Sequence, residues 1–88
     1  EVRDVARLRL ARVLLDEKNP AEALKQLEAK HSESFAGIYA EVKGDALIAS
    51  GKRGEARAAY QSAFDKSDSA SPSRQILQLK LDALGEAK

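Results

Sequence analysis

Apolar residues recur at intervals of three and four along nearly the whole chain, and each break in that rhythm carries a turn residue. Val5, Leu8, Ala11, Leu14 and Leu15 share one face of a first helix, predicted from Val2 to about Glu17. Asn19-Pro20-Ala21-Glu22 then opens a second helix, with Asn19 as cap, Pro20 in the first turn and Glu22 reaching back as in a capping box. Ala23, Leu24 and Leu27 give it a buried stripe that ends near Lys30. His31-Ser32-Glu33-Ser34 is a short polar link, and either serine can cap the next helix. The third helix runs from about Phe35 to Ser50 on Ile38, Tyr39, Val42, Ala46, Leu47 and Ile48, and Gly51 supplies the left-handed residue that ends it. The fourth opens at Gly54-Glu55-Ala56 and continues through Ala59, Tyr60, Ala63 and Phe64 to Lys66. After the serine-rich stretch Ser67 to Ser73, a fifth helix is predicted from about Pro72 to Leu84, with Gly85 at its end and Glu86-Ala87-Lys88 fraying. Its leucines spread over more than one face, as expected of a helix that closes a stack.

The chain also nearly repeats itself at 33 positions: Leu14, Glu22 and Ala23 recur as Leu47, Glu55 and Ala56. Val5 falls on Ile38, Ala11 on Gly44, Leu15 on Ile48 and Leu27 on Tyr60, so small matches small and large apolar matches large apolar. A period in the low thirties belongs to stacked helical hairpins, each of which buries its apolar face only against a neighbour. The expectation is an all-α, right-handed stack of two helix hairpins plus a C-terminal capping helix. It forms one domain over residues 1–88: repeat one at about 4–36, repeat two at about 37–69 and the cap at about 72–84. Small residues at Ala11 and Ala23, and at Gly44 and Ala56, let paired helices approach closely, and Ala63 admits the next helix.

Composition narrows the function more than the fold. Basic and acidic residues nearly cancel in the 88 residues, to a net charge of +1, so no overall field draws the chain to nucleic acid or anionic lipid. Arg3, Arg7, Arg9 and Arg12 enrich the first helix in positive charge, but Asp4, Asp16 and Glu17 interrupt it and no aromatic lies among them to stack a base; Asp4 is expected to pair with arginine along the surface. There is no cysteine, no run of about 18 apolar residues able to span a bilayer and no opening signal peptide. The chain lacks Met and begins Glu1-Val2-Arg3-Asp4 in helical rhythm without a cap, which leads us to expect a piece of a longer polypeptide. His31, the single histidine, reads as a surface turn residue, since no partners stand at ligand or catalytic spacing. The serines between Ser67 and Ser73 lack a nucleophile setting, and Gly51 and Gly54 lack the rest of a nucleotide-binding loop. No catalytic, metal or cofactor residue is therefore assigned, and the chain is not expected to be an enzyme.

Gly44, Leu47, Gly51, Ala56, Tyr60 and Ala63 together resemble the tetratricopeptide repeat. The first copy departs from that pattern, with Lys18 opposite Gly51, Lys30 opposite Ala63 and Leu27 in the aromatic position, and neither copy carries the early Trp. Leu10-Ala11-Arg12-Val13-Leu14-Leu15-Asp16, Lys43-Gly44-Asp45-Ala46-Leu47, Gly54-Glu55-Ala56-Arg57 and Gln78-Leu79-Lys80-Leu81 are similar to the C-terminal region of the YfgM-like family, ancillary subunits of the bacterial SecYEG translocon. That resemblance implies an N-terminal membrane anchor, a repeat domain on the periplasmic side of the inner membrane, contact with translocon subunits, periplasmic chaperones or secreted chains, and no enzymatic activity.

In a hairpin stack the first helix of each pair lines the concave surface, which sets Val5, Leu8, Arg12 and Leu15 beside Ile38, Glu41, Asp45 and Ile48. The expected partner-binding groove has apolar walls, a basic side at Arg12 and an acidic side at Glu41 and Asp45, and it takes a segment of a protein partner. Two alternatives stand beside it: Arg12 and Asp45 pair with each other, and the apolar members pack under the fifth helix. A separate function is self-assembly, in which the first or last helix docks on another copy.

Overall fold

The computed structural model describes residues 2–67 and 71–85. These residues form five helices, α1 (Val2–Asp16), α2 (Pro20–Leu27), α3 (Ala36–Ala49), α4 (Arg53–Lys66) and α5 (Pro72–Leu84), with a 3-10 turn at Glu33–Phe35 before α3. No strand occurs among the described residues. Each helix packs on the next in sequence, and α1 also touches α3. The result is an all-α helical stack of two hairpins closed by α5. Positions 68–70 and the C-terminal residues 86–88 lie outside the described residues, as does Glu1.

The two hairpins turn in the same way. After α3, Gly51 adopts φ +79°, while its N–H donates to Ile48 O and that of Lys52 to Leu47 O. This reverse turn satisfies the last carbonyls of the helix. After α1, Lys18 takes the place of Gly51 at φ +62°, with Lys18 N–H donating to Leu15 O and Asn19 N–H to Leu14 O. The first copy thus forms the glycine turn without its glycine, at the steric cost of a left-handed lysine. Asn19 does not cap α2 through its side chain, and Glu22 closes no capping box. Instead the Asn19 N–H finishes α1 and its carbonyl accepts from Ala23 N–H to begin α2, so one residue serves both helices.

α2 stops at Leu27, short of the expected Lys30, because the link beyond it is held against α1. The Ser32 N–H donates to Asp4 Oδ2 at 2.9 Å, and the Tyr39 hydroxyl donates to Asp4 O at 3.0 Å. Asp4 is therefore a buried tie between α1 and the link, 6% exposed, rather than a surface partner of arginine. The Ser32 hydroxyl accepts from Ser34 N–H and starts the 3-10 turn. His31 stacks on Tyr39, ring centroids 4.1 Å apart. Burial, and secondarily the Asp4 carboxylate, push the Tyr39 phenol up from its ordinary value.

The interior divides into two apolar clusters. Leu8, Ala11, Ala23, Leu27, Tyr39, Val42 and Ala46 make the first, at the α1–α2–α3 junction. Leu47, Ala56, Tyr60, Ala63, Leu77 and Leu81 make the second, between α3, α4 and α5. Leu24 packs against both and joins them. The four alanines expected at close contacts, Ala11, Ala23, Ala56 and Ala63, are fully buried. Gly44 has the tightest fit: a Cβ there would lie 2.5 Å from Tyr60 Cε1. Leu77, 2% exposed, seats α5 on this junction with a burial gain of about 2 kcal/mol. Ser71 caps α5 by accepting from Ser73 N–H, and Pro72 occupies its first turn.

Candidate functional site

Positions spaced three, four and three apart lie in one line along a helix, about 15 Å from end to end over ten residues. On α3 that line is Ile38, Glu41, Asp45 and Ile48. Both isoleucines remain 37% exposed, so α5 does not cover them. Between them Lys80 of α5 reaches across, its Nζ 2.9 Å from Glu41 Oε2 and 3.1 Å from Asp45 Oδ1. The Tyr60 hydroxyl also donates to Asp45 Oδ1. Lys80 Nζ stands 5.3 Å from the Tyr60 ring centroid, on the ring's electron-rich face.

This bridge is half-buried, and its titration follows from its contacts. For Lys80, burial disfavours the charged form, but the hydrogen bonds to Glu41 and Asp45 outweigh it and raise the ammonium pKa above its ordinary 10.5. Burial first, then the hydrogen bond and charge of Asp45, drive the Tyr60 phenol far above the ordinary phenol range. At neutral pH two carboxylates share one ammonium, leaving the centre of the line negative by one charge.

A shallow cavity lies at each end of the line. The larger, about 450 Å³, is bordered by Ile38, Glu41, Lys66, Ser73 and Leu77. The smaller, about 250 Å³, is bordered by Ile48, Arg53, Tyr60, Lys80 and Ala83. α5 thus walls the surface as well as closing the stack. Helical spacing sets its exposed Ile76 one turn before Lys80 on the same side of the helix.

The first wall differs from expectation. Leu8 is 7% exposed and belongs to the first core cluster with Leu27 and Tyr39, so it lies in the interior and not on the groove surface. Leu15 is partly buried against the same cluster. Val5 and Arg12 are exposed, and Arg12 forms no ion pair among the described residues. The alternative pairing of Arg12 with Asp45 does not form, because Lys80 and Tyr60 take the carboxylate. Sequence reasoning missed Lys80 and the Tyr60 hydroxyl. The available signal was a single cation set within the leucine-rich run Ile76-Leu77-Gln78-Leu79-Lys80-Leu81.

Among the described residues no group of three or more His, Asp or Glu side chains is placed to hold a metal ion, and no helix is long and apolar enough to cross a membrane. The arrangement offers shape, exposed apolar side chains and fixed charge, which are the means of recognising a protein segment.

Comparison with known proteins agrees with the architecture. The family model described as tetratricopeptide repeat-like domain matches residues 1–86. An ancillary SecYEG translocon subunit from Escherichia coli (strain K12) is 36% identical over 80 residues, which cover 91% of this chain and 38% of that protein. A protein of the same description from Neisseria gonorrhoeae is 37% identical over 83 residues, covering 94% of this chain and 40% of the relative. The chain spans about two fifths of the length of these curated relatives. No solved structure matches it.

Proposed function

This chain belongs to the tetratricopeptide repeat-like domain family, and on that premise we propose that it is a non-enzymatic interaction module whose concave face holds a segment of a protein partner. The observation that carries this reading is the α3 line. Two isoleucines stay open to solvent beside cavities, while the charged residues between them are fixed in place by α5. Val5, Arg12 and Leu15 of α1 form the second wall. The descriptions of the two relatives support a setting at the Sec translocon. In that setting the module acts in an ancillary subunit on the periplasmic side of the bacterial inner membrane, and its partners are translocon subunits, chaperones or secreted chains.

A photoreactive amino acid at Ile48, expressed in the native cells and read by mass spectrometry, tests both parts. Crosslinks to translocon subunits, chaperones or secreted chains are expected from Ile48 and not from exposed Gln61 on α4. Capture from Gln61 alone would remove the concave face from the reading. A second reading, association of copies through the end helices, draws on exposed Val2 and Val13 on α1 and Leu79 on α5. Sedimentation that changes with concentration would favour it.

A further inference from the structure

We propose that the outer side of α1 docks flat on an anionic phospholipid bilayer, its apolar ridge reaching the boundary between headgroups and acyl chains and its arginines meeting lipid phosphates on either side. This surface lies apart from the α3 line, and the proposal stands independently of the protein-binding reading.

α1 is the end helix of the stack, packed on α2 and α3, and it carries two apolar stripes on opposite sides. Leu8, Ala11 and Leu15 pack into the core. Val2, Ala6, Leu10 and Val13, spaced four, four and three apart, run for about 16 Å along the other side. Among the described residues nothing covers that second stripe: Val2 is 85% exposed, Leu10 43% and Val13 49%. The order of residues around a helix sets Arg9 and Arg12 along one margin of the stripe, and Arg3 and the half-buried Arg7 along the other. None of the four forms an ion pair among the described residues. Arg12, which also belongs to the α1 wall, marks where this surface meets the concave face.

The acids that interrupt the arginines in the sequence do not interrupt them here. Asp4 lies on the core side, where it accepts from Ser32 N–H. Asp16 and Glu17 follow only after Val13, at the C-terminal end of the helix. From Val2 to Val13 the exposed side therefore presents only cations and apolar groups, a local excess that the net charge of +1 conceals. An apolar ridge between rows of arginine matches a bilayer surface: the ridge leaves water, and the arginine stems lie along it while the guanidinium groups reach the phosphates. A nucleic acid would pair with the arginines but leave Val2, Leu10 and Val13 in water, and no aromatic on α1 stacks a base.

The chain has no cysteine, so Val13→Cys carrying a polarity-sensitive fluorophore reports on this surface alone, with exposed Gln61→Cys on α4 as control. Vesicles of phosphatidylcholine with a third phosphatidylglycerol should shift the Val13 probe to the blue and leave the Gln61 probe unchanged. Pure phosphatidylcholine should shift neither, and added salt should weaken the effect. In cosedimentation of the 88-residue chain, Arg3→Gln with Arg9→Gln should cut binding to the anionic vesicles at least about tenfold. Leu10→Ser with Val13→Ser should cut it at least about fivefold, and both pairs, at exposed positions, should leave the circular dichroism unchanged. Equal binding to the two kinds of vesicle, or binding undiminished by loss of the two arginines, overturns the proposal. A Val13 shift that grows with protein concentration in the absence of lipid gives the stripe to a second copy. Binding of a single-stranded oligonucleotide as tightly as the anionic vesicles, and without effect of the two serines, gives the arginines to nucleic acid. Either result overturns it as well. These variants leave the α3 line intact, so crosslinks from Ile48 test the protein-binding reading separately.

Discussion

Replacing Gly44 by alanine should destabilise the fold although it improves the helix. An added Cβ would stand 2.5, 2.6 and 2.9 Å from Tyr60 Cε1, Cδ1 and Cζ, about 1 Å inside ordinary contact. Tyr60 cannot retreat easily, because its ring is buried in the second cluster and its hydroxyl is tied to Asp45. Overpacking of this kind costs up to about 3 kcal/mol, and the gain from removing a helical glycine returns about 1 kcal/mol. The net loss is about 2 kcal/mol, or a fall in Tm of about 8–16 °C for a domain of this size. The first copy contains the natural control: Ala11 holds the place of Gly44 and is fully buried, with Leu27 where Tyr60 would stand. Tyr60→Leu is costly alone, since it removes the hydrogen bond to Asp45, but within it Gly44→Ala should be neutral or stabilising. Urea unfolding of the wild type, both single variants and the double variant gives the coupling energy, expected at about 2–3 kcal/mol in favour of the double variant. Additivity within about 0.5 kcal/mol would refute the claim that the Tyr60 ring dictates glycine at this position.

The turns, the Asp4 tie and the charged bridge each carry a further expected outcome. Lys18→Gly should raise stability by about 0.5 kcal/mol, the relief of a left-handed side chain less the added freedom of the unfolded chain, whereas Gly51→Ala should lower it by about 1 kcal/mol; paired thermal melts would show the opposite signs. Asp4→Ala should cost about 1–3 kcal/mol by leaving the Ser32 N–H without its acceptor, and Asp4→Asn, which retains an acceptor oxygen, should cost less in the same melts. Lys80 and Tyr60 both hold their protons more firmly when folded than their ordinary values of 10.5 and 10.0 allow. Their contributions are complete below pH 10 and decline as the pH climbs through the folded values. Urea midpoints should be level through neutral pH and fall above pH 10, and Lys80→Met should flatten part of that decline.

Helix positions were legible because the buried residues themselves keep intervals of three and four, Leu8 and Ala11 on α1, Tyr39, Val42 and Ala46 on α3, and Ala56, Tyr60 and Ala63 on α4. The turn at Gly51 could be read from its residue, but its counterpart at Lys18 could not. A left-handed lysine is imposed by the hydrogen bonds that close α1, and those outweigh its own preference. Asn19 has the side chain of a cap and spends its backbone instead, which only the crowding of two helix ends decides. The α3 line was visible as two acidic positions flanked by isoleucines, but its partner Lys80 lies 35 and 39 residues away, beyond the reach of any local rule. Leu8 looked equivalent to Glu41 by repeat spacing, but as an apolar side chain it joins the core cluster with Leu27 and Tyr39.

The last helix is clasped reciprocally at its two ends. Arg53 and Arg57, near the start of α4, donate to Leu84 O and Gly85 O at the finish of α5. Arg74, near the start of α5, donates to Phe64 O and Ser67 O at the finish of α4 and lies 3.9 Å over the Phe64 ring. Detachment of α5 from its C-terminal side must therefore break the Arg53 and Arg57 contacts before it reaches Leu81 and then Leu77, while the Arg74 contacts hold the opposite end against α4.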